Sequence, residues 1–199
     1  MGADRLHVVV LASNLSVSDN AVFDPADGGA LDAFFATLPL GSVVAIDGPP
    51  GPSLMPFADD PSVSPKFRRA RGCEVELGRQ RGIWVSFATG PETLTGWMAE
   101  AERVHQRGVE SGFETLETYP YAVYRTLLGR RPAKKSTGLG IAERVAALRT
   151  VGLIEPTLSM WSHDALDAAA AAIVAHRRLS GDAVAITCAT DGTSLWLPS

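Results

Sequence analysis

The chain has 199 residues, 46% of them apolar and 20% charged, and a net charge of −4. That is the composition of one globular domain with its own core, which excludes a disordered chain and disfavours a basic coat for nucleic acid or anionic membrane. Two cysteines, Cys73 and Cys188, are too few for a disulfide framework or a zinc site and read as reduced thiols of a cytoplasmic protein. The opening MGADRLHVVVLASN has no A-x-A-like cleavage site, and the apolar run at 165–175 is short and broken by Asp167. Neither a signal peptide nor a membrane span is expected.

In chain order, residues 6–12 (LHVVVLA) read as a buried strand, and 20–23 as a second strand after a polar turn. Residues 27–38 place Leu31, Phe34, Phe35 and Leu38 at helical spacing. Residues 42–47 (SVVAID) are the cleanest buried strand, and GPPGP at 48–52 stops it because that run continues neither helix nor sheet. An irregular Pro-, Ser- and Asp-rich stretch follows to about residue 65. Residues 66–77 are basic and read as a helix, and 82–87 as a strand. From 92 to 107, Leu94, Trp97, Met98, Ala101 and Val104 form an amphipathic helical stripe. Then come a strand at 113–118, a short helix at 121–128, a basic loop at 130–138 and a helix at 139–151. The longest helix is expected at 162–179, with late strands at 183–187 and 195–197. This order predicts an α/β fold, a mixed sheet with helices packed on it, in a single domain.

Four acids fall where chemistry can use them. Asp47 ends the strongest strand, at the edge where open α/β sheets bind ligands, although a hydrogen bond to the following turn is the plainer role. Glu117 ends the strand at 113–118, where a solvated acid is the plainer reading. Asp164 and Asp167 share one face of the longest helix, with Leu166, Ala170 and Ile173 on the other. Acids in a first turn behind an N-cap Ser162 also suit the helix dipole. Together, the four offer an oxygen-only set that suits a hard cation such as Mg²⁺, and paired ions of that kind flank in-line phosphoryl displacements. No dinucleotide, P-loop or nucleophile-elbow motif competes.

Charge is uneven. Residues 66–149 carry 15 Lys and Arg against 9 Glu, a local net of +6, which leaves −10 for the rest. This reads as a phosphate-contacting surface beside an acidic centre, or as solvated helix faces and a loop. Trp84, Tyr119, Tyr121 and Tyr124 lie among these charges, where base stacking is open to them, while Trp97 fits the apolar stripe. His7, His105 and His176 read as surface or satisfied core groups. His163, adjacent to Asp164, reads as a group that orients that carboxylate or acts in proton transfer, or as a plain surface residue.

The segments VVAIDGPPGP, RRARGCEVELGRQRGI, ETYPYAVYRTLLGR, KKSTG, SHDALDAAAAAIVAH and DGTSLWLP, in this order, resemble the DUF429 family of ribonuclease H-like expected nucleases. The resemblance spans about residues 43–198. It implies an RNase H-like mixed sheet and a nuclease that hydrolyses phosphodiesters with Mg²⁺ or Mn²⁺. Asp47, Glu117, Asp164 and Asp167 match the family's acidic, catalytic positions, with Asp47, Asp164 and Asp167 as metal ligands. Arg71, Lys135, Arg144 and Tyr119 match positions expected to bind substrate, and Glu74, Gly78, Pro120 and Gly138 match further motif positions. The family's opening strand, hydrophobic-G-[IV]-D with the first metal ligand, has no counterpart here. Residues 6–12 resemble its second strand, and Asp4 is the one acid nearby. A missing strand opens a sheet edge to another chain, so a homodimer is expected. The alternative is a catalytically inactive module that binds nucleic acid or a protein partner. An ATP-binding phosphotransferase of the actin–hexokinase type ranks last, since GPPGP is too proline-rich for its phosphate loop.

Overall fold

The computed structural model describes residues 5–24, 27–85 and 94–199. Asp4, the 86–87 end of one expected strand and the 92–93 start of one expected helix lie outside the described residues. Strand β1 (Leu6–Leu11) pairs antiparallel with β2 (Val17–Phe23). Helix α1 (Gly28–Thr37) starts where the Asp27 carboxylate accepts from Ala30 N, and β3 (Val43–Asp47) follows.

The expected helix at 66–77 is broken in two. Pro65–Phe67 forms a 3₁₀ turn, and α2 covers Gly72–Arg81. The break falls at Arg71, which is extended and whose backbone N–H donates to Glu74 three residues on, an N-terminal cap. The described part of the expected strand at 82–87 is not a strand. The Trp84 ring instead lies against Gly78, so close that a Cβ there would stand 2.4 Å from it.

Helix α3 is Trp97–Glu110, β4 is Glu114–Thr118, and α4 (Pro120–Leu128) starts on a proline that needs no N–H partner. Helix α5 (Gly138–Thr150) is capped by Thr137 and α6 (His163–Ser180) by Ser162, each through its hydroxyl. Strands β5 (Ala183–Thr187) and β6 (Ser194–Pro198) close the described chain.

The result is a mixed α/β fold with a four-stranded sheet, order β3–β4–β6–β5. Its first three strands are parallel and β5 is antiparallel to β6. The β1–β2 hairpin is a second, separate sheet. Both sheets are nonetheless covered by the same two cores. On one face Val9, Leu11, Val43 and Ala45 meet a core that includes Leu166, Ala169, Ala170 and Ile173 of α6. On the other, Leu6, Val44 and Ile46 meet Leu31 and Phe35 of α1 and Ala101 and Val104 of α3. Among the described residues, no helix is long and apolar enough to cross a membrane.

Candidate functional site

Parallel pairing of β3 with β4 sets Ile46 beside Glu117 and Asp47 beside Thr118. Side chains alternate across a strand, and paired residues point to the same face. Asp47 therefore belongs with Val43 and Ala45 on the α6 face, and Glu117 with Val44 and Ile46 on the α3 face. The four acids of the sequence reading are divided by the sheet itself.

On the α6 face Asp164 and Asp167 flank a lysine, and Asp47 lies in the field of all three. Lys135, in the loop before α5, places its ammonium 3.0 Å from Asp167 Oδ2 and 3.6 Å from Asp164 Oδ1. Asp47 feels Asp167, Lys135 and Asp164, and its pKa is pushed up to about 7. Crowding by protein is the largest cause and the carboxylates of Asp167, Glu117 and Asp164 add to it, while Lys135 opposes. Yet the residue is exposed to solvent. Protein thus stands close around the carboxylate while water remains within reach.

Asp167 is nearly buried and burial likewise raises its pKa, against Lys135 and Arg144. Arg144 is 3% exposed and donates to the carbonyls of Ala133 (3.1 Å) and Gly140 (2.9 Å). Its Nε faces Asp167 Oδ1 at 3.8 Å, and its guanidinium lies over the Tyr124 ring. Tyr124 is itself buried and donates to the Leu166 carbonyl at 2.5 Å. His163 Nδ1 lies 2.7 Å from Asp164 Oδ1. Tyr119, half-buried, is pushed up to about 12 by burial first and then by Asp47, which places its hydroxyl in the same field.

On the opposite face Glu117 is 5% exposed and both its oxygens accept from Arg71, while Glu74 Oε1 accepts from the same guanidinium at 2.9 Å. Burial pushes the Glu117 carboxyl up, against the pull of Arg71. Burial also works against the Arg71 charge, but Glu117 and Glu74 more than offset it and raise its pKa. Arg71 is 1% exposed, so its guanidinium faces two acids and not solvent.

His105 of α3 was not read as a site residue, yet it reaches the turn after Asp47. It is buried and its Nε2 donates to the Gly48 carbonyl at 3.1 Å. Burial drives its pKa down to about 4, so it is neutral. Gly48 has φ +150°, and a Cβ there would stand 2.5 Å from the Ala101 Cβ and 3.3 Å from the Trp97 ring. No residue but glycine fits this turn against α3. The one sequence signal for His105 was its place on the amphipathic helix, one turn after Ala101.

Among the described residues, no group of three or more His, Cys, Asp or Glu is spaced to hold a metal ion. The donor chemistry of Asp47, Asp164 and Asp167 suits a hard cation, and the cation the cluster holds is the Lys135 ammonium. Elsewhere, Trp84 is exposed and pairs with Phe67 at 5.0 Å, with Lys66 over Phe67.

Fold and site together define a mixed α/β protein with a lysine-neutralised carboxylate cluster at the C-terminal edge of its parallel strands. Residues 93–191 match the family model of DUF429, described as a protein of unknown function, and over this stretch the chain belongs to that family. The match holds Glu117, Tyr119, Lys135, Arg144, Asp164 and Asp167, whereas Asp47 and Arg71 precede it. No curated protein and no solved structure matches the chain.

Proposed function

We propose that the protein is a divalent-metal-dependent phosphodiester hydrolase with an RNase H-like arrangement of sheet and helices, acting on nucleic acid. The observation that supports this reading is the pair of contacts that Asp164 and Asp167, at a helix start, make with the Lys135 ammonium, in whose field Asp47 lies at a strand end. Those three, drawn together once Lys135 leaves, would hold Mg²⁺ or Mn²⁺, which when bound would supply an activated water and charge for the leaving oxygen. Lys135, released from the acids, would hold a substrate phosphate, and Tyr119 would border the same space. Arg144 positions Asp167 and the loop at Ala133. Arg71 and Glu117 brace the end of β4 from the opposite face. The test is a nuclease assay on single- and double-stranded substrates with Mn²⁺. Loss of activity in Asp47→Ala and in Asp164→Ala supports the assignment, and activity that survives both overturns it.

The second reading, a non-catalytic module that binds nucleic acid or a protein, is favoured by the Lys135 contacts themselves. An ammonium already seated between two of the acids leaves the cluster less need of a metal. Binding of substrate without cleavage at any metal concentration would select it.

A further inference from the structure

Helix α3 carries Glu102, His105, Gln106, Val109 and Glu110 at i, i+3, i+4, i+7 and i+8, on one face of the helix. With Pro50, from the turn after β3, they line an open hollow of about 470 Å³, the size of a small-molecule site. Thr115 of β4 also borders it and pairs with Val44, so the hollow lies on the α3 face of the sheet. The carboxylate cluster lies on the opposite face, and the inference does not depend on the hydrolase reading.

The polar groups that α3 brings to this hollow are acceptors. Glu102 is half-buried and has no cationic partner among the described residues. Glu110 accepts from the Gln106 amide nitrogen at 2.9 Å, which leaves the amide oxygen of Gln106 as an acceptor. His105 is 4% exposed and its Nε2 faces the Gly48 carbonyl. A carbonyl only accepts, so Nε2 carries the proton of the neutral ring and Nδ1 keeps a lone pair. That Nδ1 is buried and meets no donor among the described residues. A buried acceptor without a donor is destabilising, so this one marks a place for a donor from outside the chain.

We propose that the hollow binds an aliphatic diamine, two ammonium groups on a short alkyl chain. Ammonium groups are donors only, and no cation lines the hollow to oppose them. Glu102 and Glu110 stand just over two turns apart, about 12 Å along the axis, which suits one ammonium at each acid with the alkyl chain across Val109 and Pro50. His105 Nδ1, between the two acids along the helix, accepts a further ammonium hydrogen. The same separation keeps both acids from closing on one metal ion, and no metal-holding group of three occurs among the described residues.

The probe is cadaverine, titrated into the full chain by calorimetry and followed by NMR of the His105 ring nitrogens. Saturable binding is expected, with a shift of the Nδ1 resonance. Pentylamine, with a single ammonium, should bind about tenfold more weakly, and pentanol not at all. Glu102→Gln and Glu110→Gln, changes at positions that solvent reaches, should each weaken cadaverine by about tenfold. Absence of binding overturns the proposal, and so does equal affinity for pentylamine and cadaverine. Binding that neither variant weakens, or an Nδ1 resonance unmoved at saturation, overturns it as well. Zn²⁺ titrated alone should leave that resonance in place. A Zn²⁺ shift of Nδ1 that Glu102→Gln abolishes would overturn the diamine in favour of a metal centre.

Discussion

The Lys135 ammonium lies 3.0 Å from Asp167 Oδ2 and within 3.6 Å of Asp164 Oδ1, a charge seated where a bound cation would compete with it. Under the hydrolase reading, the neutral variant Lys135→Met frees the carboxylates. Its Mn²⁺ affinity, measured by calorimetry, is expected to rise about tenfold, near 1.4 kcal/mol. Its nuclease rate at saturating Mn²⁺ is expected to fall, because the phosphate contact is gone. Unchanged affinity would show that the lysine and the metal do not share a place.

Asp47 should make stability depend on pH. Its folded pKa, about 7, lies above its ordinary 3.8, so the folded state binds more protons in between. Stability is full below pH 4 and is lost as pH rises through 7. Asp47→Asn cannot ionise. Its melting temperature should match the native protein at pH 4 and exceed it at pH 8, and equal melting temperatures at both would contradict the electrostatics at this strand end.

The Arg71–Glu117–Glu74 group has the opposite character, a fully desolvated pairing whose loss strands charge in the interior. Arg71→Met should cost about 3–5 kcal/mol in urea unfolding, because two buried acids lose their donor. A cost below about 1 kcal/mol would mean that water reaches them.

His105 is held neutral, with its pKa down to about 4 against an ordinary 6.5. The unfolded chain takes up a proton through that window and the folded one does not, so stability falls as pH drops from 6.5 through 4. The full loss is on the order of 3 kcal/mol. His105→Gln keeps a donor for the Gly48 carbonyl without titrating, and its acid unfolding curve should be flatter.

What the sequence made legible was local. SVVAID followed by GPPGP gave β3 and its end, and Ser162 before HDALD gave α6 and its cap, because these are decided by neighbours along the chain. The acids were found at the right strand and helix ends, but not the faces they occupy. That division depends on the β3–β4 register, which pairs Asp47 with a residue 71 positions away. Arg71 read as a phosphate contact because sequence shows charge and not depth. Lys135 was read the same way, and its partner Asp167 lies 32 residues on. The helix at 66–77 looked continuous since composition cannot show that Glu74 turns back to cap Arg71.

Asp191 Oδ2 accepts from Gly72 N at 2.8 Å, and Thr193 Oγ1 from Cys73 N at 2.9 Å, across 119 and 120 residues. The first turn of α2, and with it Arg71, is thus fastened by the turn between β5 and β6. Contacts this remote close late in folding, after a large loss of chain entropy. During synthesis, Glu117 leaves the ribosome long before the segment that seats its arginine, so the buried acid waits unpaired. The maturation of this centre is therefore timed by the arrival of the last hairpin.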